Sequence, residues 1–112
     1  MLIIHVKHYL NLSGCNLFDE WFENCFAYLS KQDGFVSLQR AFDDTETETV
    51  HIWLHFESRE KMTVWGQSLE HAKLIAALDP YRIRDWEATW YDTDIPRVEK
   101  FTIPRGMHNV TV

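Results

Sequence analysis

The segment from Glu48 to Phe56 constrains the fold more than any other part of the chain, because two kinds of side chain alternate along it. One row is aliphatic or phenyl and comprises Val50, Ile52, Leu54 and Phe56. The other row comprises His51, Trp53 and His55. Successive side chains of a β-strand point to opposite faces of its sheet. The segment therefore predicts a strand with one buried aliphatic face and a second face of different chemistry.

Three other segments predict strands in the same way. They are Leu2 to Leu10, Phe35 to Phe42 and Tyr81 to Tyr91. The first strand has one row of mostly apolar side chains, namely Leu2, Ile4, Val6, His8 and Leu10. The last strand has a row that comprises Arg82, Arg84, Trp86, Ala88 and Trp90. After the first strand, Asn11, Ser13 and Gly14 predict a turn.

Two segments predict amphipathic helices. The first runs from Asn16 to Lys31, with Asn16 as its N-cap, and Asp33-Gly34 closes it. The second runs from an N-cap at Ser58 to about Leu78. Its inner stripe comprises Met62, Trp65, Leu69, Ala72 and Ala76.

The resulting order, strand, helix, strand, strand, helix, strand, predicts a ferredoxin-like α+β domain. Its four-stranded antiparallel sheet carries both helices on one face. The aliphatic rows fit either this face or one covered by a dimer partner, and we expect them on the helix-covered face. The tryptophans Trp53, Trp86 and Trp90 cannot all lie under two helices, so the open face is expected to be rich in aromatic side chains. Such a patch favours a homodimer in which two sheets pack face to face as an α+β barrel.

The length of 112 residues and a hydrophobic fraction of 46% suit one domain, which we place at residues 1–92. Residues 93–112 form an irregular C-terminal extension with a short extended stretch around Phe101 to Ile103. Two alternatives stay open for this extension: it packs on the dimer partner, or it is frayed.

The charge and the cysteines exclude several classes of protein. A net charge of −6 without a cluster of Lys or Arg argues against a nucleic-acid partner. The first ten residues are too short and too charged for a signal peptide or a membrane span, so no membrane partner and a cytoplasmic location are expected. Cys15 and Cys25 are ten residues apart in a predicted helix, too far for a disulfide and unlike a zinc motif.

The run FESREKMTVWGQSLEH follows a strand and precedes a short helix that ends at Asp79-Pro80-Tyr81. Together with Gly34-Phe35 after the first helix, it resembles the antibiotic biosynthesis monooxygenase family, over Leu2 to Asp92. The resemblance implies a dimeric α+β barrel and a monooxygenase that needs no cofactor. Its substrate would be a small aromatic or quinol-like molecule.

Such an oxygenase needs a base beside the acidic hydroxyl of a flat substrate and apolar walls that exclude water. Histidine suits the base and tryptophan suits the walls. The catalytic candidates are therefore His71 and Trp65. The candidates for substrate binding are His51, Trp53, His55 and Ser68. No metal site is expected, because His51 and His55 share a face without an apparent third ligand.

Two alternatives stay open. The superfamily of dimeric α+β barrels, which includes the antibiotic biosynthesis monooxygenases, also contains heme-degrading oxygenases. In that branch a helix carries a tryptophan followed three residues later by a serine, and Trp65 and Ser68 resemble this pair. Heme is therefore the alternative cofactor. Ile75 stands where that branch has a ligating histidine, and a continuous helix would turn His71 away from the face of Trp65. The other alternative is a dimeric binding module without catalytic activity, whose aromatic face is only an interface.

Overall fold

The computed structural model describes residues 1–43 and 45–93, and the backbone of residues 97–102. The elements are, in chain order, β1 (Leu2–Leu10), α1 (Leu12–Leu29), β2 (Phe35–Ala41), β3 (Thr49–Phe56), α2 (Arg59–Gly66), α3 (Leu69–Leu78), β4 (Arg82–Asp92) and β5 (Arg97–Thr102). A short 3₁₀ turn, Asp79–Tyr81, joins α3 to β4. None of the described helices is long and apolar enough to cross a membrane.

The strands form one antiparallel sheet in the order β2-β3-β1-β4-β5. The four predicted strands and their ferredoxin-like arrangement are confirmed. The fifth strand is longer than the predicted extended stretch and pairs with β4 of its own chain, from Asp92↔Arg97 to Glu87↔Thr102. The prediction that the extension packs on a dimer partner stays a prediction, since residues 103–112 lie outside the described part.

The helices cover the face of the sheet that carries the aliphatic rows, as the alternation predicts. All of the inward row of β1, from Leu2 to Leu10, is buried, and so is the row of β3 from Val50 to Phe56. Tight antiparallel pairing aligns the two rows, with Ile4 opposite Leu54 and Val6 opposite Ile52. Burial of these side chains is the main stabilising term of the fold.

The expectation that Trp53, Trp86 and Trp90 do not all lie under the helices is confirmed, because Trp53 lies on the open face and stacks on His5. Trp86 and Trp90 lie on the other face. Both are buried on the helix side, at 0% and 3% exposure. The register explains this, because Trp90 lies opposite Ile4 of the buried row. Of these three tryptophans, the helices thus cover Trp86 and Trp90 and leave Trp53 on the open face. Register shifts near Tyr9 also take Arg84 out of the row of Arg82, which leaves Arg82 buried and Arg84 exposed.

The first helix begins four residues earlier than the expected N-cap at Asn16. Asn11 is the N-cap instead, and its Oδ1 accepts a hydrogen bond of 2.9 Å from the backbone N–H of Gly14. The sequence misled here because Asn11 and Gly14 are as typical of turns as of a capped first turn. A Cβ on Gly14 would lie 2.7 Å from Tyr81 Cβ, so this glycine allows α1 to approach the turn before β4.

The predicted second helix is in fact two helices, α2 and α3, with a break at Gln67-Ser68. Ser68 is the N-cap of α3: its Oγ accepts from the N–H of His71 at 3.1 Å and donates to the carbonyl of Trp65 at 2.7 Å. A continuous helix was expected because the apolar spacing runs through the break. Ser68 was the local sequence signal for the start of a new helix, because serine is a favoured N-cap residue.

Candidate functional site

A small interior pocket lies between the sheet and the helices. Its volume is about 30 Å³. Its lining is formed by Val6, His8, Trp21, Cys25, Leu29, Leu38, Ile52, Leu54, Trp65, His71, Leu74 and Ile75. Most of these side chains are apolar, and two imidazoles face the space among them. A pocket of this lining is the most typical setting for chemistry on a small apolar molecule.

The break between α2 and α3 brings the two predicted catalytic residues together. The rings of Trp65 and His71 meet edge to face, with centroids 5.6 Å apart. The expectation that His71 points away from Trp65 is wrong, because it assumed one continuous helix. His71 is also buried, at 4% exposure, so it is not a solvated surface residue.

His8 is the second imidazole of the pocket, and Arg82 fixes its tautomer. Arg82 Nη1 donates to His8 Nδ1 at 3.0 Å, while Arg82 Nε donates to Asp79 Oδ1 at 3.0 Å. Because a guanidinium can only donate, His8 Nδ1 must carry a lone pair, and the ring proton is on Nε2. Burial, then Arg82, then His71 lower the pKa of His8 well below its usual value. His8 is therefore a neutral hydrogen-bond donor at neutral pH.

Trp21 forms the wall opposite the sheet. Its Nε1–H donates to the carbonyl of Leu74 on α3 at 2.7 Å, and its ring lies edge-on to His8 with centroids 5.6 Å apart. Neighbouring Cys25 is inert, because burial raises the pKa of its thiol to about 12. The walls are thus fixed by a buried hydrogen bond and contain no thiolate.

The pocket is closed in this conformation. Its volume of about 30 Å³ accommodates roughly two or three water molecules, since a water needs ~10–15 Å³ by this measure. Pockets that bury an organic ligand measure roughly 300–1,000 Å³. Binding of an aromatic ring therefore requires α1 or α3 to move outward from the sheet.

The other predicted binding residues lie on the open face of the sheet, away from this pocket. His5 stacks on Trp53 with centroids 4.4 Å apart, and its Nε2 lies 3.0 Å from His51 Nδ1. An open hollow of about 510 Å³ lies beside these rings. Its lining comprises His5, Ala41, Phe42, Asp43, Thr45, His51 and Trp53.

The two histidines of β3 do not form a pair. His55 Nδ1 lies 3.1 Å from Ser37 Oγ, and four residues of strand separate it from His51 by roughly 13 Å. The expectation that His51 lacks an acidic neighbour is wrong, because Asp43 and Glu46 of the β2–β3 loop lie near its ring. The structure therefore divides the predicted residues into an interior set, Trp65, Ser68 and His71, and a set on the open face.

Sequence reasoning did not assign His8, Arg82 and Trp21 to the site. One signal was present, since His8 is a titratable residue in an otherwise apolar row of β1. Arg82 gave no signal, because its burial depends on the register shift that separates it from Arg84. Trp21 was indistinguishable from an ordinary core residue of an amphipathic helix.

No model of a protein family matches this sequence, and no curated protein matches it either. Solved structures do resemble its fold. An antibiotic biosynthesis monooxygenase superposes with a TM-score of 0.74 at 8% identity, covering 86% of this chain and all of the other. SnoaB, a cofactor-independent oxygenase from Streptomyces nogalater, gives a TM-score of 0.71 at 11% identity, covering 84% of this chain and 93% of SnoaB.

A third structure is the ActVA-Orf6 monooxygenase of Streptomyces coelicolor, solved with the ligand nanaomycin D. It has a TM-score of 0.68 and 18% identity, and the match covers 80% of this chain and 83% of the monooxygenase. Identities this low establish the fold rather than the reaction. The chain has the fold of the antibiotic biosynthesis monooxygenases.

Proposed function

We propose that the interior pocket is the active site of a cofactor-independent monooxygenase that acts on a small aromatic or quinol-like compound. The observation that carries this proposal is the pair of buried imidazoles, His8 and His71, between the rings of Trp21 and Trp65. Titratable groups in an apolar cavity are costly to bury, and such sites are often functional.

The two imidazoles have different roles in this proposal. Arg82 holds His8 as a neutral donor through Nε2, so His8 stabilises negative charge that develops on a substrate oxygen. His71 is then the base that removes the proton of the phenol or enol. His8 stays the neutral donor after His71 has taken up the proton, because a positive charge on His71 further disfavours protonation of His8.

The chemistry needs no metal when the substrate itself supplies the electrons. The electron-rich phenolate or enolate reduces dioxygen, and a new carbon–oxygen bond forms. One oxygen atom stays on the substrate as a carbonyl and the other leaves as water, so the substrate carbon loses four electrons. The protein contributes the base, the donor for the oxyanion and a site without bulk water.

Oxygen uptake with a panel of anthrones and naphthohydroquinones tests the proposal. We expect turnover by the wild type, and a loss of ~10²-fold or more in kcat for His71→Ala, the range of general-base contributions. His55→Ala is the matched control, since His55 lies on the open face and bonds to Ser37. Full turnover by His71→Ala, or an equal loss in His55→Ala, would contradict the assignment of the base.

Heme degradation is the second candidate, and one observation favours it. His71 lines the same pocket as Ile75 and lies one helical turn before it. An imidazole is thus available near the position where the resemblance implies a ligand. A hemin titration decides: a saturable Soret shift in the wild type that His71→Ala abolishes would support heme as the cofactor. Unchanged hemin absorbance would exclude it.

A homodimer through the open face of the sheet belongs to the same proposal. The centre of that face carries Ile3, His5, Trp53 and Tyr91, which the helices leave uncovered. Contiguous aromatic surface of this kind is typical of protein interfaces. The alternative of a binding module without catalysis shares this dimer, and only the oxygen-uptake assay distinguishes the two.

A further inference from the structure

The β2–β3 loop brings three metal-binding side chains together at the edge of the open face. One ligand atom from each of Asp43, Glu46 and His51 lies within 4.8 Å of the other two. His51 Nε2 is 3.4 Å from Glu46 Oε1. Ligand atoms of a tetrahedral zinc site lie about 3.3 Å apart, given bonds of ~2.0–2.1 Å. The Glu46–His51 pair already has this spacing, and a carboxylate oxygen of Asp43 lies within 4.8 Å of both ligand atoms.

The imidazole of His51 is oriented for coordination. The residue is 7% exposed, and its Nε2 makes no hydrogen bond within the part of the chain that the structure describes. Its contact of 3.4 Å with Glu46 lacks hydrogen-bond geometry. On the other side of the ring, Nδ1 lies 3.0 Å from His5 Nε2. Metal-binding histidines characteristically use their second nitrogen for such a hydrogen bond, which fixes the tautomer and the ring orientation.

The side chains around Nε2 of His51 carry an excess of negative charge. Within residues 1–43 and 45–93, neither Asp43 nor Glu46 forms an ion pair with a lysine or an arginine. Asp43 Oδ1 accepts from the backbone N–H and the hydroxyl of Thr45 at 2.9 and 2.6 Å, which holds this carboxylate in place. When Nδ1 of His51 carries the ring proton, the lone pair of Nε2 faces the carboxylates of Asp43 and Glu46. A cation relieves this repulsion.

We infer that Asp43, Glu46 and His51 bind a divalent first-row transition-metal ion, with His5 as the residue that orients His51. One imidazole and two carboxylates suit Zn²⁺ or Mn²⁺ better than Mg²⁺ or Ca²⁺, which prefer oxygen ligands alone. The hollow of about 510 Å³ beside the site leaves room for water or another ligand in the remaining coordination position. The site lies on the opposite face of the sheet from the interior pocket, so it is independent of the proposed oxygenase.

The test uses Zn²⁺ and the full chain after treatment with a chelator. Isothermal titration is expected to give one saturable site per chain. Glu46→Gln is expected to weaken binding at least tenfold, since loss of even an indirect partner of a metal site costs about that much. Glu48→Gln is the matched control, an exposed acid of the same loop, and should bind as the wild type does. His5→Phe should weaken binding without a change in stoichiometry.

Nitrogen-15 NMR of the imidazoles locates the ion in the wild type, which avoids reliance on a variant of the buried His51. We expect Zn²⁺ to shift the Nε2 resonance of His51 and to leave that of His55 unchanged. Three results would overturn the inference: no saturable binding, equal affinity in Glu46→Gln and the wild type, or a shift at another histidine in place of His51.

Discussion

Arg82 donates to Nδ1 of His8 across 3.0 Å, and this contact joins the last strand of the predicted domain to the first. It places a permanent positive charge beside an imidazole that is 1% exposed. His8 can therefore accept no proton without the loss of that hydrogen bond. The pocket thus contains one histidine whose Nδ1 accepts from Arg82 and a second imidazole, that of His71 on α3.

The first prediction concerns acid stability. The pKa of His8 is lowered in the folded state by burial, Arg82 and His71, whereas in the unfolded state it is ~6.5. The unfolded chain then binds the extra proton first, so the free energy of unfolding should fall as the pH drops below ~6.5, by about 1.4 kcal/mol per pH unit for one proton. Urea denaturation at pH 7, 6 and 5 measures this slope.

His8→Gln is the matching variant for that experiment, because an amide also accepts from Arg82 but does not titrate. Its slope between pH 7 and pH 5 should be smaller than that of the wild type. An identical slope would mean that other histidines, such as His5 with its lowered pKa, account for the acid sensitivity.

The second prediction concerns the cap at the break between α2 and α3. Ser68→Ala removes the bonds to His71 N–H and to the Trp65 carbonyl, and should cost about 1 kcal/mol of stability. Ser58→Ala removes the equivalent cap of α2, where Oγ accepts from Lys61 N–H at 3.2 Å. Both variants should lose similar stability in urea titrations. Only Ser68→Ala should also change the chemical shifts of His71.

The third prediction sets helix propensity against packing at Gly14. Propensity alone favours Gly14→Ala by about 1 kcal/mol. A Cβ at this position would, however, lie 2.7 Å from Tyr81 Cβ and 2.9 Å from Leu10 Cβ, and such overpacking costs ~1–3 kcal/mol. We expect net destabilisation in thermal unfolding. Ser13→Ala, at an exposed position of the same turn, should be neutral or slightly stabilising.

The fourth prediction concerns the dimer. We expect the wild type to sediment as the proposed homodimer at equilibrium, and Trp53→Glu, which places a charge at the centre of the open face, to sediment as a monomer. Val64→Glu is the control, because Val64 is an apolar residue of α2 that is 66% exposed on the helix side. A wild type that is already monomeric at micromolar concentration, or dissociation by both variants, would argue against the sheet interface.

The alternation of β3 separated an aliphatic row from an aromatic one, and the expectation that the helices cover the aliphatic row is confirmed, although the row alone also fitted a face covered by a dimer partner. Val50 and Ile52 are buried beneath the helices, while Trp53 remains on the open face. This inference succeeds because a strand has a period of two, and a change of face would expose every aliphatic residue at once. The fold could be predicted from the same periodicities, with the exception of β5 and the break after Gly66.

The site was predicted only in part, and the reasons are physical. The contact between His8 and Arg82 spans 74 residues of sequence and depends on register shifts near Tyr9, which no local pattern encodes. The proximity of Trp65 and His71 depends on a helix break that one serine causes. The approach of Asp43 and Glu46 to His51 depends on the path of a polar loop, which has no periodicity.

The pairing of β5 with β4 has a consequence for the outer boundary of the sheet. Six residues of β4, from Glu87 to Asp92, have partners in β5. A chain cut after Asp92 would keep the lining of the interior pocket that the described residues provide. It would leave this row of backbone N–H and C=O groups unpaired. Unpaired strand edges recruit strands of other molecules and promote aggregation. Pairing with β5 thus covers these backbone groups of β4 and keeps that row from pairing with strands of other molecules.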